Sequence, residues 1–209
     1  MKGINIGESR LMRMLTRGCF PHEFSWLIDN PVRRLFVAPE TLADRLPILE
    51  GSRVLEIGPG SGYFSVEFAR RVPRGRLELF DLQPEMLAKA KRKLDARGFL
   101  NVGYTAGDAS TELPFPEDHF DLAVLVTVLG EVRDKRACIE SVHRVLHPAG
   151  TLAVHEHLPD PDFISFDKLR SAAEERGFAF QRRFGRLWNY TATFQKSFAD
   201  HRAMLGASE

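Results

Sequence analysis

Arg53-Val54-Leu55-Glu56-Ile57-Gly58-Pro59-Gly60-Ser61-Gly62 opens with five residues of buried-strand character and breaks into glycines at alternate positions. A short apolar run that ends in turn residues reads as a strand of a parallel sheet. Glycine there lets the backbone turn tightly and lets a ligand approach it closely. The helix expected from Ser61 to Arg71, with Phe64, Phe68 and Val72 at helical spacing, adds exposed N–H groups at its start.

Strands and helices alternate from there to the C-terminus. Arg76–Phe80 is a second strand and Pro84–Arg97 a helix. Leu87, Ala90 and Leu94 share one face of that helix, proline suits its first turn, and Gly98 ends it. Asn101–Thr105 and Phe120–Val126 are the third and fourth strands. The helix Asp134–Leu146 follows, with Cys138, Val142, Val145 and Leu146 facing inward. Thr151–His155 is the fifth strand and Ser165–Arg176 a helix closed by Gly177. Phe178–Phe184 and Trp188–Phe194 alternate as a terminal hairpin. This order predicts an α/β fold with a mostly parallel sheet and helices on both faces, and a ligand site in the loops at the carboxyl ends of the strands. Residues 1–46, cut by Pro21, Pro31 and Pro39, read as a helical N-terminal lid. Residues 47–200 form the main domain and 201–209 a flexible tail.

Composition narrows the function classes. A net charge of +1 over 209 residues sets up no global field toward nucleic acid or an anionic membrane. The longest apolar run, Ala123–Leu129, is too short to span a bilayer, and the N-terminus shows no signal-peptide pattern. Cys19 and Cys138 are too few for a disulfide framework, which points to a reducing, cytoplasmic setting. The chain is expected to be a monomer or homodimer with a small-molecule partner.

Four loops carry informative residues: Glu56 to Gly62; Asp81 at the end of the second strand; Gly107-Asp108-Ala109; and Leu125 to Val128, leading into Leu129-Gly130-Glu131. Asp81 can accept from both hydroxyls of a ribose, and Asp108 from an adenine amino group. Each element alone has a plainer reading: a strand–helix turn for the glycines, a turn residue or helix cap for each aspartate. The order of all four is harder to produce by accident. Tyr63 stands where a dinucleotide fingerprint needs its third glycine, which weighs against a nicotinamide-dependent dehydrogenase. An acid at Glu56 suits a cationic ligand better than a pyrophosphate.

At these residues the chain resembles the class I S-adenosylmethionine-dependent methyltransferases, in particular the subgroup of ubiquinone/menaquinone C-methyltransferases. Val54 to Gly62 is similar to their first motif. Leu79 to Leu87, Gly107 to Ala109, Leu113-Pro114-Phe115, Phe120-Asp121 and Arg144 to Leu152 are similar to the motifs that follow. The resemblance spans about residues 45–195 and implies a Rossmann-like seven-stranded sheet of order 3-2-1-4-5-7-6 with strand seven antiparallel. It implies S-adenosylmethionine as cofactor, with Glu56, Gly58, Pro59 and Gly60 at its amino acid end, Asp81 on the ribose and Leu82 against adenine. Asp108 would face the adenine amine, Ala109 would present its backbone, and a carbonyl near Leu125 would take the ammonium. A lid carrying Phe20 to Phe36 would wall the acceptor site. Val126-Thr127-Val128-Leu129 is not the motif of enzymes that methylate exocyclic base amines, and the ligands of the metal-dependent catechol type are missing there.

Methyl transfer needs a general base only when the acceptor must lose a proton. Glu131, His155 and His157 are the catalytic candidates, with His22 and Glu156 beside them. His155 and His157 share a strand face, yet no third ligand is evident, so no metal is expected. The expected function is methyl transfer to a small apolar or quinone-like acceptor; the alternative is a catalytically silent cofactor-binding module of the same fold.

Overall fold

The computed structural model describes residues 37–197. The first 36 residues of the expected lid, with His22, Trp26 and Phe20 to Phe36, lie outside them, as does the expected tail 201–209.

Helix α1 (Pro39–Asp44) leads into strand β1 (Arg53–Ile57), α2 (Ser65–Arg71), β2 (Arg76–Asp81), α3 (Pro84–Asp95) and β3 (Val102–Ala106). Then come β4 (Phe120–Val126), α4 (Lys135–Val145), β5 (Leu146–His157), α5 (Phe166–Glu174), β6 (Phe178–Arg186) and β7 (Asn189–Lys196). The seven strands form one sheet in the order β3-β2-β1-β4-β5-β7-β6. The first five pair in parallel, and β7 runs antiparallel to both β5 and β6. The alternating pattern predicts the mostly parallel sheet; this Rossmann-like order, with β7 antiparallel, is the one the family resemblance implied. The order reverses between β1 and β4, and Ile57↔Leu125 is the last pair before the two strands part.

Period-two burial divides the core into two clusters, one on each side of the sheet. Leu55, Ile57, Ala123 and Leu125 face Cys138, Val142, Leu169 and Tyr190. Val54, Leu122 and Val124 face Leu42, Phe68, Leu87 and Leu94. α1, α2 and α3 therefore cover one face, and α4 and α5 the other. Val37, Leu42, Ala43 and Leu46 pack into the same cluster as α2.

Several boundaries differ from the sequence reading for local reasons. The helix expected from Ser61 begins at Ser65, because Gly60 and Gly62 hold φ of 56° and 80°, outside the right-handed helical region. The fifth strand runs from Leu146 rather than Thr151, because the chain leaves α4 at Leu146 with φ −76° and ψ 136°, already extended. α4 starts one residue late because Asp134 is its cap, accepting from the Ala137 N–H at 2.9 Å. Trp188, expected in a strand, lies in the Leu187-Trp188 turn of the hairpin and is 54 % exposed. Among the described residues no helix is long and apolar enough to cross a membrane.

Gly130 shows how the end of the sheet is closed. A Cβ there would lie 1.9 Å from the Asp162 carbonyl oxygen, so the β4–α4 loop meets the β5–α5 loop backbone to backbone. Gly130→Ala should cost about 1–3 kcal/mol of unfolding free energy in urea titrations, as other overpacked sites do. An unchanged midpoint would show that the two loops do not meet this closely.

Candidate functional site

The carboxyl ends of β1, β2 and β3 are stitched together around Asp81. Its carboxylate accepts from the Gly60 N–H at 3.2 Å and the Gln83 N–H at 2.9 Å. Its backbone oxygen accepts from the Gly107 N–H at 3.0 Å, and the Gly58 N–H donates to the Phe80 oxygen at 2.8 Å. Asp81 is only 7 % exposed. Burial pushes its carboxyl above the usual range, opposed by the two donors from Gln83 and Gly60.

The glycines differ in what they make room for. Gly58 holds φ 68°, and a Cβ on it would lie 2.4 Å from the Val128 side chain. Its bare backbone thus lets the loops after β1 and β4 approach. Gly62 does the same toward Ala90 of α3. Above Gly60 there is open space, with nothing within 4 Å of the missing Cβ. Leu82, next in the chain to the buried Asp81, exposes 54 % of its surface. Pro59 is buried between the two glycines.

The other residues named from the sequence fall as follows. Glu56 is 2 % exposed and accepts from the Ser65 hydroxyl at 2.6 Å, which ties β1 to the start of α2 beneath the glycine loop. Asp108 accepts from the Ser110 N–H at 2.8 Å and from the Arg133 guanidinium at 2.5 Å. The Ser110 donor, then Arg133, hold its carboxyl below the ordinary range. Arg133 is largely exposed, so this ion pair is weak and open to exchange. Ala109 is buried in the core beside it. Leu125 sits where β1 and β4 diverge, its side chain buried and its backbone inside the ladder.

The chain just past β4 is strained. Thr127 holds φ 53°, costly for a β-branched residue. Its N–H donates to the His155 oxygen at 2.8 Å, which brings the end of β5 to the same edge. Here the catalytic candidates separate. His155 and His157, their rings 5.6 Å apart, are buried on the face of α1 to α3. His155 Nδ1 lies 3.0 Å from the Thr191 hydroxyl, which also accepts from Arg45 at 3.1 Å. Glu156 turns to the opposite face, toward Glu131, Asp160 and Asp162. It is 1 % exposed and receives only a long 3.5 Å contact from the Ile164 N–H. Its other oxygen, Oε1, has no hydrogen-bond partner. Burial, reinforced by those three acids, pushes its carboxyl up to about 8. The sheet therefore brings Glu131 together with Glu156 and not with the two histidines. Among the described residues no group of three or more His, Cys, Asp or Glu side chains is placed to hold a metal ion.

A family model described as a methyltransferase domain matches residues 54–150, a span that holds all four loops. Over that span the chain is similar to the class I S-adenosylmethionine-dependent methyltransferases. It is also similar to ubiquinone/menaquinone biosynthesis C-methyltransferases UbiE. That of Psychromonas ingrahamii is 38 % identical over 132 residues, covering 58 % of this chain and 52 % of its own length. That of Vibrio vulnificus is 38 % identical over 124 residues, covering 58 % and 47 %. The chain thus spans about half the length of the curated relatives it matches. Among solved structures, a SAM-dependent methyltransferase from Aquifex aeolicus aligns with a TM-score of 0.78 at 21 % identity, covering 85 % of this chain and 100 % of that one. The [4+2]-cyclase SpnF aligns at 0.68 and 19 %, covering 76 % and 79 %. Likeness at that identity establishes the methyltransferase fold and leaves the reaction to the site.

S-adenosylmethionine, the methyltransferase cofactor, suits what these residues offer: an unobstructed Gly60 backbone, an exposed apolar side chain at Leu82 and a carboxylate at Asp81. Arg133 and Ser65 shape the site without having been named from the sequence, while Thr127 and Val128 fall in the loop Leu125 to Val128 that was named, though their roles were not. Arg133, on Asp108, carries no local signal because its partner is 25 positions away. Val128, under Gly58, and Ser65, on Glu56, look like ordinary core and helix residues until the loops fold together. For Thr127 the place just after the most apolar strand is legible in the sequence, and its backbone angle is not.

Proposed function

We propose that the chain transfers the methyl group of S-adenosylmethionine to a small acceptor that is apolar or quinone-like. The observation that carries this is the Asp81 knot, which joins the ends of β1, β2 and β3 beside the open face of Gly60. The cofactor brings an electrophilic methyl; the chain's residues bind and orient. Asp81 would accept from ribose hydroxyls while keeping the glycine loop in register, and Leu82 would cover the base. Placing acceptor and methyl in line supplies much of the acceleration in such a transfer.

The curated relatives' names support an acceptor with a ring carbon to be methylated. Carbon methylation forms a C–C bond as the C–S bond breaks and leaves one ring proton to remove. Of the candidates, Glu131 and Glu156 lie together past the ends of β4 and β5, and these two are the groups suited to take that proton.

Two measurements test the reading in order. Isothermal titration with S-adenosylmethionine and S-adenosylhomocysteine is expected to give one saturable site. Absence of binding at millimolar concentration would overturn the cofactor assignment. Radiolabelled methyl transfer to a short-chain 1,4-hydroquinone with an open ring carbon then tests the acceptor. Binding without transfer to this class would sink the quinone-like reading and leave the cofactor site standing.

A further inference from the structure

On the face away from α1 to α3, two adjoining hollows run along the seam between α4 and α5. One, of about 330 Å³, opens beside Gly130 and the β5–α5 loop, with Leu129, Ile139, Phe163 and Leu169 among its walls. This is at the small end of the range for small-molecule pockets. The other, of about 380 Å³, continues along α5 toward Arg176. Lys135, Lys168 and Ala172 line both. The walls are apolar at the sheet end and basic further out.

The charges of the groove do not cancel. Lys135, Arg136, Lys168 and Arg176 line it, against the carboxylates of Asp162 and Glu175. Arg136 is paired with Glu140, and Arg176 with Glu140 and Glu175. Lys135 donates to the Val132 oxygen at 2.9 Å. The Lys168 ammonium is exposed and makes no hydrogen bond or ion pair with any described residue. Lys135 keeps its charge, since a carbonyl does not neutralise it, but Asp162 in the same lining offsets it. Among the described residues, Lys168 is left as the one uncompensated ammonium at the junction of an apolar hollow and a basic one.

We propose that this groove binds an aliphatic monocarboxylate, its chain against Ile139, Phe163 and Leu169 and its carboxylate on Lys168. One uncommitted cation matches one negative charge, and the apolar walls match an alkyl chain without polar groups to satisfy. The site is separate from the open face of Gly60 and does not rest on the methyl-transfer reading. Val128 and Leu129 are neighbours in the chain, one packed under Gly58 and the other lining the groove.

Titration of the full chain with decanoate, below its micellar range, tests this. The expected result is one saturable site, weakened at least tenfold in Lys168→Glu and lost in Ala172→Trp, whose indole would fill the shared wall. Decyltrimethylammonium should not bind. Both variants should keep the wild-type unfolding midpoint and S-adenosylhomocysteine affinity, which separates loss of this site from misfolding or loss of the cofactor site. No decanoate binding to the wild type, equal binding to the three proteins, or equal binding of the cationic amphiphile would overturn the proposal. Tenfold tighter binding of decyl phosphate would overturn the single-charge assignment.

Discussion

Glu156→Gln is expected to make the protein more stable than the wild type at pH 8 and above, and nearly equal to it below about pH 4. The cause is a carboxyl that is 1 % exposed, with one oxygen lacking a hydrogen-bond partner and with Glu131, Asp160 and Asp162 nearby. Its pKa rises from 4.5 to about 8 on folding, so the folded chain holds this proton more tightly than the unfolded chain. The contribution is complete below the unfolded value and declines as pH climbs from about 4.5 through about 8. At about 1.4 kcal/mol per unit, the whole decline amounts to at most about 5 kcal/mol. Glutamine keeps the shape of the protonated acid and removes the titration. Urea titrations from pH 5 to 9 measure it, read as variant minus wild type so that the other carboxylates cancel. Parallel profiles for the two proteins would mean that Glu156 is ionised in the fold.

A carboxylic acid kept in such a place at a cost to stability fits a site that uses it, because strongly shifted groups gather where proton transfer occurs. Glu156 also sits at the carboxyl end of β5, the side on which an open parallel sheet binds its ligands. In an assay for carbon methylation, the glutamine variant should therefore lose turnover while it gains stability, with cofactor affinity unchanged.

Asp81→Ala should lower the affinity for S-adenosylhomocysteine by about 100-fold or more, the equivalent of two hydrogen bonds to a charged group at about 1.5 kcal/mol each. The same change removes the acceptor for the Gly60 and Gln83 N–H groups, so the glycine loop loosens as well. Asp81→Asn separates the two effects. It retains one carbonyl oxygen for a loop donor and places an amide where the second acceptor stood. It should bind more weakly than wild type and more tightly than alanine. Because the amide leaves one loop N–H without an acceptor, the asparagine variant should lose about 1–3 kcal/mol of unfolding free energy, partly offset because burial already opposes the Asp81 charge. Calorimetry and thermal unfolding on the same preparations give both numbers. Wild-type affinity in the alanine variant would remove Asp81 from the cofactor site.

The fold was legible because its determinants are local and periodic. Phe120–Val126 reads as a buried strand from seven residues alone, and β1 has the bounds read for it, Arg53 to Ile57. Leu87, Ala90 and Leu94 announce the buried face of α3 through their spacing, and all three are buried. The glycine loop and Asp81 were legible as chemistry for the same reason: bare backbone after a strand and an acid after the next can be seen one residue at a time.

What the residues meet across the sheet was decided only by tertiary structure. A lone histidine or glutamate looks the same in sequence whatever surrounds it. His155, Glu156 and His157 are consecutive, yet alternation sends the histidines to the face of Arg45 and Thr191 and the glutamate to the face of Glu131 and Tyr190. Alternation was predictable; the partners were not, because they come from elements as far as 146 positions apart. Arg133 on Asp108, Val128 beneath Gly58 and the Asp162 carbonyl against Gly130 are likewise contacts between loops. Secondary structure follows from short-range sterics and the spacing of apolar side chains, which any window of sequence contains. The protonation of Glu156, the reach of Asp108 and the groove at Lys168 follow from burial and distance, which exist only once the strands have paired.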